Sequence, residues 1–181
     1  MKKQLLLMAL PLALLLTTAC DEVEEMLDVS ETFTFDQEFV VDTEQHSFAH
    51  EELFDLAADV DLIDDYGNKI KEVTIQEVKF WLTAHQGDPG QTMEGGSLLV
   101  SDPGDGNPVE IATMGTHVLQ DLLDNPTELD LNNAGVELLG DLAADPPHRF
   151  TLHADASFNE GPLDFSLMVE FTARMTANPL N

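Results

Sequence analysis

Alternation of apolar and polar side chains dominates the C-terminal part of the chain. Phe150, Leu152, Ala154, Ala156 and Phe158 fall on one parity, and a second run, Leu163, Phe165, Leu167, Val169, Phe171, Ala173 and Met175, follows the same rule. A period of two is that of a strand with one buried face. Asn159 to Pro162 separates the runs by a connection of hairpin length, so the two read as antiparallel neighbours. Phe33, Phe35, Phe39 and Val41 share a parity near the other end and predict a further half-buried strand.

Ile70 to Ala84 carries the most informative irregularity. Val73 and Ile75 lie on one parity, whereas Val78, Phe80, Leu82 and Ala84 lie on the other. One buried face cannot change parity without an extra residue, so a β-bulge or break is predicted at Gln76-Glu77. Trp81 then points away from the Phe80 face and is a candidate for a ligand surface. Ser97 to Ser101 and Val109 to Met114, joined by the turn Asp102 to Pro108, predict a β-hairpin with a polar tip. His85 to Ser97 reads as a loop punctuated by Pro89-Gly90 and Gly95-Gly96.

Helical spacing is sparser. Leu53, Leu56, Ala57 and Val60 fit one helix face ending before Tyr66-Gly67-Asn68, with a strand through Leu53 to Leu56 as the alternative. Thr116 is placed to cap a brief helix presenting Val118, Leu119, Leu122 and Leu123. Asn133 is placed to cap another carrying Val136, Leu139 and Leu142, stopped by Pro146-Pro147 and weakened by Gly135 and Gly140 inside it. Together these elements predict a mainly β protein: an antiparallel β-sandwich of roughly six to eight strands with one or two short helices. Residues 31–181 form one domain on this reading, and no period of repeat-protein length runs through them.

The N-terminus is of another kind. Lys2 and Lys3 precede an apolar run of 12 residues, Leu5 to Leu16, then Thr17, Thr18, Ala19 and the only cysteine, Cys20. That run is short of the ~20 residues that cross a bilayer as a helix, and it fits a cleaved secretory signal. The order of charge, apolar run, small residues and cysteine resembles the signal peptide and lipobox of bacterial lipoprotein precursors, departing from it at Thr17, where leucine is usual. The resemblance covers residues 1–20. It implies that Cys20 is diacylated, becomes the new N-terminus and anchors the chain in a membrane of the cell envelope. Residues 21–30 (DEVEEMLDVS) then form an acidic tether. Asp21 directly after the cysteine resembles the inner-membrane retention signal of enteric bacteria, whereas acidic residues there also resemble surface-export signals of other lineages. Inner and outer membrane both remain open.

Cleavage before Cys20 removes 19 of the 181 residues and leaves 162 with 5 basic and 35 acidic side chains, a formal charge of −30. Such a surface disfavours nucleic acid and anionic lipid headgroups as partners. Chemistry-bearing motifs are scarce: there is no nucleotide-binding glycine fingerprint, nucleophile elbow or zinc-type cysteine pair. His46 and His50, four apart, would share a face if helical and could hold a metal with Glu51 or Glu52. Asp102, Asp105 and Asn107 in the DPGDGNP turn, with Glu110 behind, are candidate calcium ligands, although their spacing differs from an EF-hand and suits a plain turn. These residues point to a non-catalytic binding or assembly module for an envelope protein or glycan. A calcium-dependent form of it and an envelope enzyme without a recognised motif are the alternatives.

The density of like charge also predicts a protein of saline surroundings, because salt screens self-repulsion that would otherwise strain the folded state. The melting temperature should rise with added KCl; a flat or falling profile in a KCl titration contradicts this reading.

Overall fold

A computed structural model describes residues 28–180 of the chain; Cys20 and most of the acidic tether lie outside them. The order of elements is β1 (Val29–Thr43), β2 (Ser47–Asp55), α1 (Leu56–Asp59), α2 (Asp61–Tyr66), a 3-10 turn (Gly67–Lys69), β3 (Ile70–His85), β4 (Thr92–Ser101), β5 (Val109–Met114), β6 (His117–Val118), α3 (Leu119–Leu122), β7 (Thr127–Glu128), α4 (Asn133–Ala144), β8 (Arg149–Phe158) and β9 (Leu163–Ala177). Val29 and Ser30, assigned above to the tether, are the first residues of β1. One sheet has the order β1-β9-β3-β7 and the other β2-β8-β4-β5, with β6 beside the start of β4. All strand pairings in both ladders are antiparallel. The predicted β-sandwich is therefore the observed fold, with seven strands of six residues or more and two stubs.

β8 and β9 show why the sheets face one another. Their alternating residues Phe150 to Phe158 and Leu163 to Met175 are all buried. The hairpin expected between them does not form: β8 belongs to one sheet and β9 to the other, so the short connection crosses the sandwich. Aromatic rings join the layers. Phe35 of β1 lies 4.7 Å from Phe171 and 5.4 Å from Phe54 of the opposite sheet, while Phe165 sits 5.4 Å from Phe158 and 5.7 Å from Phe48. Offset and edge-on aromatic pairs add about 0.5–1.5 kcal/mol each to the area they bury.

The parity change in β3 is resolved as predicted. Ile75 pairs with Ala173 and Glu77 with Thr172, leaving Gln76 over, so Val73 and Ile75 are buried before the shift and Val78, Phe80 and Leu82 after it. Two further shifts, between Ile70 and Glu72 and between Leu82 and Ala84, had no counterpart in the apolar pattern, and the latter turns Ala84 outward to an exposed position.

Three helical expectations change. Ser47–Asp55 is a strand rather than the start of a helix: Phe54 stacks on Phe150 at 5.3 Å, while Leu53 on the other face is 58 % exposed. Only from Leu56 does the chain turn helical. Thr116 caps nothing; its hydroxyl donates to the Glu94 carbonyl, and the segment splits into stub β6 and the four-residue α3, with Leu119 and Leu122 buried. The cap of α4 is Asn132, one residue earlier than expected, whose side-chain oxygen accepts from the Ala134 N–H at 3.1 Å.

α4 closes one side of the sandwich, packing on β3, β5, β4 and β8. Its buried stripe is Gly135, Leu139, Gly140 and Ala143, with Val136 and Leu142 half-buried. The two glycines that weaken the helix as a sequence let its axis approach the strands. A Cβ at Gly135 would collide with the Glu110 carbonyl oxygen, and one at Gly140 with the Val73 carbonyl oxygen. At the far end of β9, buried Gln91 ties the β3–β4 loop to the β8–β9 turn: its amide donates to the carbonyls of Glu160 (2.9 Å) and Pro162 (3.0 Å), and its oxygen lies 3.2 Å from His85 Nε2.

Gly135→Ala should lose stability although alanine is the better helix former. The backbone clash forces a displacement costing about 1–3 kcal/mol, against a gain of ~1 kcal/mol in propensity. Urea unfolding measures the difference, and a variant as stable as the parent would show that α4 does not need this approach.

Candidate functional site

The polar residues that converge most closely lie on the outer face of the five-stranded sheet. Register aligns Glu51 of β2, His153 of β8, Leu99 of β4 and Glu110 of β5 across that face. One row away are Ala49, Asp155 and Ser97, and on the other side of His153 are Thr151 and Ser101. Strand alternation sends all of these outward because Leu98, Val100, Leu152 and Ala154 on the opposite parity fill the core.

His153 links two neighbours. Its Nε2 shares a hydrogen bond of 2.9 Å with Ser101 Oγ, and its Nδ1 lies 3.6 Å from Glu51 Oε2. Serine, imidazole and carboxylate thus stand in the order of a hydrolytic triad, on the corresponding ring nitrogens. Two features depart from that template. Ser101 is only 2 % exposed, and the gap to Glu51 exceeds hydrogen-bond length. Beside the imidazole a cleft of about 330 Å³ is lined by Leu99, Pro108 and Ala154 and by Glu51, His153 and Asp155. Partial loss of hydration, with the negative charge of Glu110 second, pushes the Asp155 carboxyl above the usual aspartate range.

The residues singled out from sequence are dispersed. Trp81 is half-buried on the outer face of the other sheet, level with Met168 of β9 and Glu38 of β1. Lys79 is on the same face; its hydrogen bond of 2.6 Å to Glu77, aided by nearby Glu170 and Glu128, holds its pKa above the ordinary lysine value. Asp102, Asp105 and Asn107 sit together on the exposed β4–β5 turn. There Asp105 Oδ1 accepts from Asn107 N (3.1 Å) and Nδ2 (2.9 Å), and Asp105 N donates to the Asp102 carbonyl (2.9 Å). Their oxygens and amides serve the turn itself. His46 is in the β1–β2 turn and His50 in β2, so the shared helix face expected for them does not exist; four residues of extended chain span ~13 Å. His50 instead meets Phe39 edge-on and lies 3.5 Å from Glu52. Among the described residues, no group of three His, Cys, Asp or Glu side chains converges as a metal site. Ser101, His153 and Glu51 escaped notice because they come from three strands, each showing only a polar residue at an outward position.

The class of protein that the fold defines is an antiparallel two-sheet β-sandwich. No family model and no curated protein matches the chain. Solved structures with a similar course of chain include Desmodium yellow mottle tymovirus (8 % identity, TM-score 0.35, covering 82 % of this chain and 89 % of that one). Others are tobacco necrosis virus (8 %, TM-score 0.41, 84 % and 99 %) and the decameric BFDV capsid protein (8 %, TM-score 0.40, 83 % and 98 %). At these TM-scores the likeness assigns no function.

The raised Asp155 group gives a pH prediction. A carboxyl whose folded pKa exceeds its unfolded value contributes stability below the ordinary aspartate range, near 3.9, and loses it as pH rises through the folded value. At neutral pH the ionised group is thus a net cost. Asp155→Asn should melt higher than the parent at pH 7, with the gap closing below pH ~4; equal melting at pH 7 would contradict the assignment.

Proposed function

We propose that the chain is a lipid-anchored module of the bacterial cell envelope that binds or assembles with an envelope protein or glycan without catalysing a reaction. The observation carrying this reading is the order of basic residues, short apolar run, small residues and Cys20 at the N-terminus. Two further facts support it. No helix among the described residues is long and apolar enough to cross a membrane, so in this reading the acyl chains on Cys20 supply the attachment, at ~0.8 kcal/mol per buried methylene. The sandwich begins at Val29, and the eight residues 21–28 reach at most ~29 Å from the cysteine. The folded domain would stand close to the bilayer on the end where Val29, Ile70 and Ala177 meet. Calcium is a weaker reading, since Asp105 is already engaged within its turn.

A second reading has its own observation. Ser101, His153 and Glu51 are ordered as in a serine hydrolase. If they act as one, a fluorophosphonate probe will label the protein and Ser101→Ala will abolish labelling. The binding-module reading expects no labelling, because Ser101 is covered.

Lipid attachment has a direct test. Cells fed alkynyl palmitate should incorporate label into the parent chain and none into Cys20→Ala. Label persisting in the variant, or absent from the parent, overturns the anchor.

A further inference from the structure

The two flanks of the sandwich are finished differently. On one, α4 lies across β3 and β5. On the other, β1 and β2 are the outermost strands of their sheets, and the only ladder partner of β1 among the described residues is β9. β1 is 15 residues long and pairs with β9 from Val29↔Ala177 to Thr43↔Leu163 without one register shift. Its other edge therefore offers a straight run of backbone N–H and C=O groups. Sheet edges are ordinarily guarded by brevity, bulges, proline or charge. This edge has no proline, no bulge and no brevity. Charge guards it, and the Gln37 side-chain amide covers one acceptor, the Glu38 carbonyl, at 2.9 Å.

That charge selects the occupant. Asp36, Glu38 and Asp42 project on the outer parity of β1, Glu38 also accepting from the Thr83 hydroxyl of β3 at 2.8 Å, together with Val40, which is 66 % exposed. A second copy pairing edge to edge would bring carboxylates against carboxylates, in a chain that already carries 35 acidic residues. A strand with cations at alternate positions would neutralise them. The inner parity has room too: between the end of β1 and the start of β2 is a cleft of about 270 Å³ with a mainly polar wall, lined by Asp42, Thr43, Gln45, Ser47, Phe48 and His50 among others. Backbone pairing supplies affinity in strand addition, and such clefts supply selectivity for alternate side chains.

We propose that β1 receives an extended peptide segment by strand addition, its alternate residues lysine or arginine facing Asp36, Glu38 and Asp42 and its intervening residues small and polar, entering the β1–β2 cleft beside Thr43 and Gln45. This gives the binding module above its partner class, and it rests on that reading only for where the encounter takes place.

The test uses the processed full chain, purified in detergent, and a peptide alternating lysine and threonine. Calorimetry should detect binding at physiological salt. Methylating the backbone nitrogens on one edge of the peptide should weaken binding at least about tenfold, ~1.4 kcal/mol, when that edge faces β1. The triple variant Asp36→Lys, Glu38→Lys, Asp42→Lys should weaken it comparably while retaining the parent circular-dichroism spectrum. The N-methyl comparison needs no altered protein and so stands if that variant fails to fold. Equal binding of the peptides N-methylated on either edge and of the parent peptide overturns strand addition in favour of mere charge attraction. Absence of binding at physiological salt overturns the proposal outright, as does a concentration-dependent dimer of the parent that the triple variant abolishes. None of these readouts depends on acylation, so a failed palmitate experiment and a failed peptide experiment are distinguishable.

Discussion

Burial of one face of β9 is the constraint on which the sandwich depends. The strand lies between β1 and β3, and its inward residues from Leu163 to Ala177 are all buried. A slip of one residue against either neighbour would send phenylalanines outward and polar side chains inward. The two neighbours meet this demand differently. β1 follows it in unbroken register, whereas β3 inserts residues at three places to remain in step. The Gln76 irregularity is thus what lets two runs of opposite parity bury against one continuous face. Closure of the layers follows from the same row: rings of β2 and β8 converge on Phe165, and Phe35, stacked on Phe171 within the sheet, meets Phe54 of the opposite one.

Much of this was legible from the chain, for a definite reason. Where a strand is polar on one side and apolar on the other, its period appears directly, as in β8, β9 and both halves of β3. Legibility failed where one pattern served two structures. Leu53, Leu56, Ala57 and Val60 fit a helical face, yet Phe54 decides the matter by stacking on Phe150, a contact between residues 96 positions apart. Gly135 and Gly140 read as flaws until the strands they approach are known. The site was hidden more deeply. Glu51, Ser101 and His153 each look like ordinary outward polar residues, and only the pairing of β2, β8 and β4 makes them neighbours. Trp81, Asp102, Asp105 and Asn107 drew attention because their residue types are conspicuous, but the fold places Trp81 and the turn residues on different parts of the surface.

Charge and fold answer to separate constraints in this molecule. Carboxylates occupy outward parities and turns, leaving the apolar core to specify the sheets. Of the five basic residues after Cys20, Lys69, Lys71 and Arg174 lie toward the end where β1 begins: Lys69 donates to the Pro179 carbonyl at 3.2 Å, Lys71 pairs with Asp28 at 2.8 Å, and Arg174 lies opposite Thr32. The opposite end has no lysine or arginine in its turns and carries Asp42, Glu44, Asp88 and Glu160 instead. Both ends are acidic, and what distinguishes the end near Val29 is that Lys69, Lys71 and Arg174 lie among its carboxylates.

The unbroken β1–β9 ladder also determines how the domain would bear a load. The chain preceding β1 joins the sandwich at Val29, at one end of a 15-residue strand. Tension applied through that chain, against a hold on β9 at its Leu163 end, runs along the strand and not across it. Such a pull works in shear: the hydrogen bonds from Val29 to Thr43 resist together, and none can be peeled away alone. A bulge would have given the ladder a weak point, and β1 has none. The strand left open on one edge is, on the other, bonded without interruption along its whole length.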